Sequence, residues 1–122
     1  MKMIKKVLVV EDGELLQKLC KKALGGKVKI VSAFSIEEAE EKFATNPDII
    51  AIVMDGRVPG GEPNTESPNT EPLVRKFRTT FAGPMLATSS NPMFCQKLVK
   101  AGCDYECDKV FVPQKLCEIL GL

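Results

Sequence analysis

Length, composition and charge narrow the possible classes of protein. The chain has 122 residues, 44% of them hydrophobic, and its 17 Lys and Arg nearly balance its 16 Asp and Glu. This length suits one domain spanning residues 1–122, with enough apolar content for a core. Because a formal net charge of +1 provides no basic excess for phosphate backbones or anionic membranes, neither nucleic acid nor a membrane is an expected direct partner.

The first residues and the cysteines indicate the cellular compartment in which the protein resides. Residues 1–6 are basic, but the apolar run 7–10 is too short for a signal-peptide core or a membrane span, and it ends in acids. The five Cys have irregular spacings, and the chain has no His to complete a mixed zinc site. We therefore expect a cytoplasmic protein with reduced, buried cysteines. A redox role for Cys103 and Cys107 is the alternative.

Apolar runs alternate with segments of helical periodicity, which is typical of an α/β fold with a parallel sheet. The run 7–10 predicts a first strand, and a helix follows it until Gly25-Gly26. Residues 27–30 alternate polar and apolar side chains, as an edge strand does. The segment Ser35-Ile36-Glu37-Glu38 has the form of a capping box, which predicts a second helix through about residue 44.

A central strand and a long polar loop occupy the middle of the chain. Residues 49–54 form an uninterrupted apolar run, as expected of a strand buried on both faces, and lead directly into Asp55. The loop at about 60–71 is polar and rich in turn formers. A plain solvated insertion is the favoured interpretation. Three of its hydroxyl groups are alternatively open to modification or partner contact, namely those of Thr65, Ser67 and Thr70.

The rest of the chain continues the alternation. A third helix is predicted from about residue 71, because proline is well tolerated in a first helical turn, and it ends before Gly83. A short strand at 85–87 precedes Asn91-Pro92, which is a cap and first-turn signal for a fourth helix. A brief strand at 105–107 and a final helix from about residue 113 bring the count to five strands and five helices.

Charged and polar side chains follow four of the five predicted strands. In an open α/β sheet, ligands bind outside the carboxyl ends of the strands. Clustered carboxylates suit a hard cation such as magnesium, which offsets their repulsion and can neutralise a phosphoryl group together with a lysine. The residues in question are Glu11, Asp12, Asp55, Thr88, Ser89, Asp108 and Lys109.

This constellation resembles the receiver domains of response regulators, over nearly the whole chain. The resemblance is carried by residues 7–12, by 54–60, by Ala87-Thr88-Ser89, and by Gly102 with Lys109 seven positions later. It implies a three-layer, doubly wound (βα)5 fold of the flavodoxin-like type. The implied sheet has five parallel strands in the order 2-1-3-4-5.

The resemblance also implies a function in two-component signal transduction. Asp55 would accept a phosphoryl group from the phosphohistidine of a sensor histidine kinase or phosphotransfer protein, assisting its own phosphorylation and dephosphorylation without being a classical enzyme. Magnesium, with manganese as a substitute, would be bound by Asp55 and Asp12, by Glu11 mainly through water, and by the main-chain carbonyl of Arg57. Lys109 would pair with a phosphoryl oxygen, and Thr88 would rotate to hydrogen-bond the phosphate.

Two departures from the family pattern affect the implied signalling. Val110 follows Lys109 where the family usually has proline, and Glu106 stands where an aromatic residue is common. The implied surface for an unknown effector protein is helix four, strand five and helix five. Its candidate contact residues are Lys97, Lys100, Glu106 and Phe111.

Two other classes of function stay open at this point. A degenerate receiver would act as an interaction module that does not depend on phosphorylation, as the two departures make conceivable. A flavodoxin-like electron carrier is disfavoured, because Glu11-Asp12 would repel a flavin phosphate after the first strand. No glycine-rich dinucleotide motif or P-loop follows any predicted strand either.

Overall fold

The architecture is a parallel five-stranded sheet with helices on both faces, in a computed structural model that describes residues 5–61 and 66–122. The strands are β1 (Lys6–Val10), β2 (Lys29–Ala33), β3 (Ile49–Asp55), β4 (Met85–Thr88) and β5 (Tyr105–Cys107). The helices are α1 (Glu14–Leu24), α2 (Ile36–Thr45), α3 (Glu71–Arg78), α4 (Pro92–Ala101) and α5 (Val112–Leu120). The strand order β2-β1-β3-β4-β5 confirms the predicted doubly wound flavodoxin-like fold.

The sheet separates two hydrophobic clusters, since successive strand residues point to opposite faces. On one face, α2, α3 and α4 pack over side chains such as Leu8 and Ile52. On the other, α1 and α5 pack over neighbouring residues of the same strands, among them Val7 and Val53. Every residue of β3 except Ile50 is buried, as its apolar run predicted. The central strands thus form a rigid base for whatever follows their carboxyl ends.

The second strand lies further along the chain than predicted. The alternation at 27–30 indicated a strand there, but β2 spans Lys29–Ala33. Its register with β1 pairs Lys6 with Lys29 and Val10 with Ala33. Pairing with β1 therefore extends β2 past the alternating segment, and Val28 is buried in the connection that precedes it. The strand does lie at an edge of the sheet, as predicted.

Two predicted helix starts are confirmed by their caps. Ser35 Oγ accepts a hydrogen bond from the Glu38 main-chain N–H at 3.1 Å, and Glu38 Oε1 accepts one from the Phe34 N–H at 3.0 Å. Asn91 Oδ1 likewise accepts from the Met93 N–H at 3.0 Å at the start of α4. Both side chains thus satisfy main-chain donors that a helix leaves free in its first turn.

The long loop corrects one expectation. Its distal end is not a plain solvated insertion, because Pro68 and Thr70 are buried against the rest of the domain. Ser67 is half-buried, whereas Thr65 lies outside the described residues. The loop therefore contributes packed structure immediately before α3 begins at Glu71, the predicted start.

Three further observations on the helices and turns of the described residues complete the comparison with the sequence predictions. None of the helices described is long and apolar enough to cross a lipid bilayer. Lys109 begins a short 3-10 turn, Lys109–Phe111, that leads into α5. In α1 the buried face includes Gln17 and Leu24, while Leu19 is 40% exposed.

Candidate functional site

Three carboxylates converge at the carboxyl end of the sheet. β1 ends immediately before Glu11 and Asp12, β3 ends in Asp55, and β1 and β3 are neighbours in the sheet. One carboxylate oxygen from each residue lies within 4.8 Å of the others. Glu11 and Asp55 are both only 3% exposed, whereas Asp12 is exposed. The adjacent strand ends thus bring together the acids that the sequence analysis singled out.

Lys109 lies between the two buried acids. Its Nζ donates to Glu11 Oε1 at 3.0 Å and to Asp55 Oδ2 at 3.3 Å. The second oxygen of Glu11 accepts the main-chain N–H of Gly13 at 2.9 Å. The 3-10 turn after β5 therefore places the lysine at the site although Val110, not proline, follows it, and the described residues contain no cis peptide bond.

The surroundings shift the pKa values of Asp55 and Lys109. Burial, together with the neighbouring Glu11 carboxylate, raises the pKa of Asp55 to about 7, against the lowering effect of Lys109. Burial by itself would lower the pKa of the Lys109 ammonium, but the hydrogen bond to Glu11 and the charge of Asp55 outweigh it and raise this pKa. The site thus holds more negative charge than one lysine balances.

Thr88 carries an unpartnered hydroxyl beside these groups. β3 and β4 are paired so that Asp55 lies opposite Thr88. Thr88 is fully buried, and its Oγ1 has no hydrogen-bond partner among the described residues. A buried hydroxyl without a partner is costly. The next residue, Ser89, is also buried, and its Oγ accepts the Asn91 N–H at 3.0 Å.

Arg57 lies on the turn that follows Asp55. Its guanidinium is 5.6 Å from the centre of the Phe94 ring and donates to the main-chain oxygen of Ser67 at 3.0 Å. Arg57 and Asp12 both line an open cavity of about 480 Å³ beside the carboxylates. This cavity offers space for water or an incoming ligand next to the exposed acid.

Three polar residues support the site although the sequence did not indicate them as site residues. The first of them is Gln17. Gln17 is buried in α1, and its Nε2 donates to the main-chain oxygens of Val9 at 2.8 Å and Glu11 at 3.0 Å. Its Oε1 accepts the hydroxyl of Ser32 at 2.7 Å. Gln17 therefore fixes the chain where β1 ends and Glu11 begins. A glutamine at a core-facing helix position was the available signal.

The other two are Asn69 and Thr70, from the end of the long loop. Thr70 Oγ1 donates to the main-chain oxygen of Asp55 at 2.6 Å. Asn69 makes hydrogen bonds to the main chain of Val58 and Gly60. The sequence indicates Thr70 only as a modifiable or partner-contacting hydroxyl, and Asn69 only as part of the loop. No local pattern reveals contacts that link residues nine or more positions apart in the chain.

One residue of the expected docking surface, Lys97, already makes hydrogen bonds within the domain. Lys97 Nζ donates to the main-chain oxygen of Glu66 at 2.7 Å and to Ser67 Oγ at 3.1 Å. Lys100, Glu106 and Phe111 are exposed. Glu106 and Phe111 also line a shallow cavity of about 260 Å³ against α5. The long loop therefore covers part of α4 and leaves the β5 and α5 side of this surface open.

The residues at the site fit a magnesium ion. Carboxylate oxygens and water are its preferred ligands, and few protein ligands are needed. Glu11, Asp12 and Asp55 supply the oxygens, and the open cavity beside Asp12 leaves room for ligand water. The donor set contains no sulfur or imidazole among the described residues, so it suits magnesium or manganese rather than a softer metal.

Comparisons with known proteins identify the fold of the chain. No family model and no curated protein matches the chain. Solved structures do match it, including a response regulator from Thermotoga maritima, at a TM-score of 0.75, 17% identity, and coverage of 98% of this chain and 100% of that one. A CheY-like response regulator receiver domain protein from Methanospirillum hungatei matches at a TM-score of 0.77 and 18% identity, with 98% and 92% covered.

A third structure extends the same likeness. The signal receiver domain of a response regulator from Bermanella marisrubri has a TM-score of 0.73 and 16% identity, with 97% of this chain and 99% of that chain covered. The alignments span essentially whole chains on both sides. At these identities the likeness establishes the fold, and the chain therefore has the fold of a response-regulator receiver domain.

Proposed function

We propose that this protein is a receiver of two-component signal transduction that takes a phosphoryl group onto Asp55 in a magnesium-dependent step. The observation that carries the proposal is the setting of the Asp55 carboxylate. It is buried at the end of β3, pairs with Lys109, lies in an acidic cluster with Glu11 and Asp12, and faces Thr88 across the sheet. The receiver fold supports the same reading.

The metal would be held by the acidic cluster. Asp12 and Asp55 would bind it directly, Glu11 mainly through water, and the Arg57 main-chain carbonyl would complete the protein ligands. A bound magnesium ion neutralises phosphoryl oxygens as charge develops on them. Lys109 contributes to the same neutralisation from within the protein, because its ammonium already lies 3.3 Å from Asp55 Oδ2.

Asp55 would act as a carboxylate nucleophile. One of its oxygens forms a bond to the phosphorus of a phosphohistidine while the P–N bond breaks, and the imidazole nitrogen keeps the electron pair and takes up a proton. The donor would be a sensor histidine kinase or a phosphotransfer protein. The raised pKa of Asp55 requires that the cationic surroundings first favour its ionised form.

Thr88 would respond to phosphorylation of Asp55. Its buried hydroxyl has no partner among the described residues, so a phosphoryl oxygen would supply the missing acceptor. The gain from that hydrogen bond would favour one arrangement of the neighbouring β4–α4 segment over another. Glu106 stands where the family usually has an aromatic residue. A change at Thr88 would therefore reach the protein surface without the help of an aromatic side chain at that position.

The proposed output is contact with another protein, in the cytoplasm. The exposed part of the surface formed by α4, β5 and α5 includes Lys100, Glu106 and Phe111. A docked effector would respond to the change at Thr88, since Thr88 and Cys107 are paired neighbours in β4 and β5. The protein would therefore act as a phosphoacceptor that changes its partner, not as a turnover enzyme.

The test is intact mass after incubation with acetyl phosphate, with magnesium and with a chelator. The wild type should gain one phosphoryl group only with magnesium, and Asp55→Ala should gain none. Hydroxylamine should remove the group, since it cleaves acyl phosphates and leaves phosphoserine and phosphothreonine intact. Asp48→Asn is the matched control, because Asp48 precedes β3 and pairs with Lys6 at 3.2 Å, at the opposite end of the sheet.

A degenerate receiver that only binds partners is the second candidate. It is favoured by Glu106, which is exposed on β5 where the usual coupling residue would be aromatic. No mass gain, together with no binding of beryllofluoride in the presence of magnesium, would establish this alternative and refute phosphoryl transfer. A gain that persists in Asp55→Ala would move the acceptor to another residue.

A further inference from the structure

The turn that follows Asp55 is held by a side chain from the far end of the long loop. Asn69 Oδ1 accepts a hydrogen bond from the Val58 main-chain N–H at 3.1 Å. The Asn69 amide nitrogen donates to the main-chain oxygens of Val58 and, at 3.0 Å, of Gly60. One side chain thus satisfies three main-chain groups within residues 58–60.

The Val58 N–H has a particular significance, because it belongs to the same peptide group as the Arg57 carbonyl. A trans peptide group is planar, so its N–H and its C=O point in opposite directions, and fixing one fixes the other. A hydrogen bond accepted from the N–H also increases the partial negative charge on the carbonyl oxygen. Asn69 therefore controls both the direction of the Arg57 carbonyl and its strength as a ligand.

Neighbouring contacts favour the same role. Asn69 and Asp12 line the same cavity of about 480 Å³, together with Arg57 and Val58. Next to Asn69, the fully buried Thr70 donates its hydroxyl to the Asp55 main-chain oxygen at 2.6 Å. Consecutive side chains of the loop thus hold the start and the middle of the segment that leads away from Asp55.

We propose that Asn69 is a positioning residue for divalent-cation binding, acting through the Arg57–Val58 peptide group. The inference rests on the proposed function, in which the Arg57 carbonyl is a metal ligand. Asn69 touches neither the metal nor the reacting atoms. Its contribution is to keep the carbonyl directed toward the metal before the metal binds, so that binding does not require the turn to reorder.

The experiment is calorimetric titration of the full chain with magnesium chloride, near neutral pH, without any phosphoryl donor. Asn69→Ala should raise the Kd for magnesium by tenfold to a hundredfold, the range typical of groups that orient metal ligands. Asn69→Asp keeps an acceptor for the Val58 N–H but sets a carboxylate oxygen against the main-chain oxygens of Val58 and Gly60, so its Kd should rise as well. Thermal unfolding of each variant is measured alongside.

Asn46→Ala is the matched control. The Asn46 side chain also bonds across the fold, accepting from Lys6 Nζ at 2.9 Å and donating to the Lys42 main-chain oxygen at 2.8 Å. It lies at the C-terminal end of α2, away from the carboxylates. This variant should lose thermal stability and keep the wild-type magnesium Kd.

The outcomes separate the two proposals. A lower Tm for Asn69→Ala with an unchanged Kd would show a purely structural role and overturn this inference. If Asn69→Ala does not fold, Asn69→Gln replaces it with the same expectation, because the longer side chain cannot place its amide at the same point. A wild type that binds no magnesium would refute the proposed function itself.

Discussion

The Asp55 carboxylate lowers the stability of the metal-free protein. Its pKa is about 7 in the folded state against an ordinary value of 3.8. Between these values the folded state binds more protons than the unfolded state, so stability falls as pH rises from about 4 to about 7. The loss is complete above the folded pKa and absent below the unfolded one.

Asp55→Asn should therefore be more stable than the wild type above neutral pH, when a chelator is present. The expected gain is on the order of 1–2 kcal/mol, and it should vanish below about pH 3, where the aspartate is protonated in both the folded and the unfolded state. Thermal unfolding across this pH range measures the difference. Asp48→Asn, which loses only a partly exposed ion pair with Lys6, should show no such gain.

A less stable Asp55→Asn at alkaline pH would contradict this expectation. It would mean that the ion pair with Lys109 outweighs the burial of the carboxylate and its repulsion by Glu11. Adding magnesium provides a second comparison. The ion should stabilise the wild type by mass action, because it binds the folded site, and should stabilise Asp55→Asn less.

At the scale of single residues, the sequence was most informative where strand ends supply the chemistry. Glu11, Asp12, Asp55 and Lys109 could be grouped because parallel strands deliver their last residues to one edge of a sheet. The sequence could not reveal that Lys109 pairs with Glu11 as well as Asp55, or that the Thr88 hydroxyl lacks a partner. These depend on distances that only the folded chain defines.

Among the secondary-structure elements, α2 begins at a position that is fixed by the capping side chain of Ser35. Ser35→Ala removes the acceptor for the Glu38 N–H and should cost about 1 kcal/mol, the usual value for a lost N-cap. Chemical denaturation measures the change in free energy of unfolding. Ser90→Ala is the control, because Ser90 is exposed and its hydroxyl makes no hydrogen bond in the described structure. Equal effects of the two substitutions would refute a capping role.

The elements also show why some boundaries were predictable and others were not. The capping box at Ser35 and the Asn91-Pro92 signal are local, and the helices begin at those positions. The bounds of β2 were misplaced because pairing with β1 sets them, from Lys6 opposite Lys29 to Val10 opposite Ala33. The burial of Thr70 was missed for the same reason, since its partner is the main chain of Asp55.

For the whole molecule, the hydrophobic clusters on the two faces of the sheet protect the cysteines. Burial raises the pKa of both Cys20 and Cys103 to about 12. At about pH 8, a thiol with this pKa is ionised to about one part in ten thousand. Both should react with a disulfide-exchange reagent at least a hundredfold more slowly in the folded protein than in denaturant.

Peptide mass mapping after timed labelling checks this expectation. Cys117 is only half-buried and serves as the internal comparison within the same chain. Slow labelling of Cys103 would argue against a redox role for Cys103 and Cys107. Preferential labelling or oxidation of that pair would favour such a role and contradict the protective effect of the core.

The position of Lys109 in the chain has a consequence for the order in which the protein is made. Its partner Glu11 lies 98 residues earlier, and β5, which carries the lysine to the sheet, pairs with β4 at the edge of the sheet that the described residues form. During synthesis the strands that bear the acids emerge well before the strand that delivers the cation. Glu11 and Asp55 are therefore both synthesised before the lysine that pairs with each of them. Any close approach of these two carboxylates before Lys109 emerges is repulsive, and the lysine relieves that repulsion only when β5 joins the sheet.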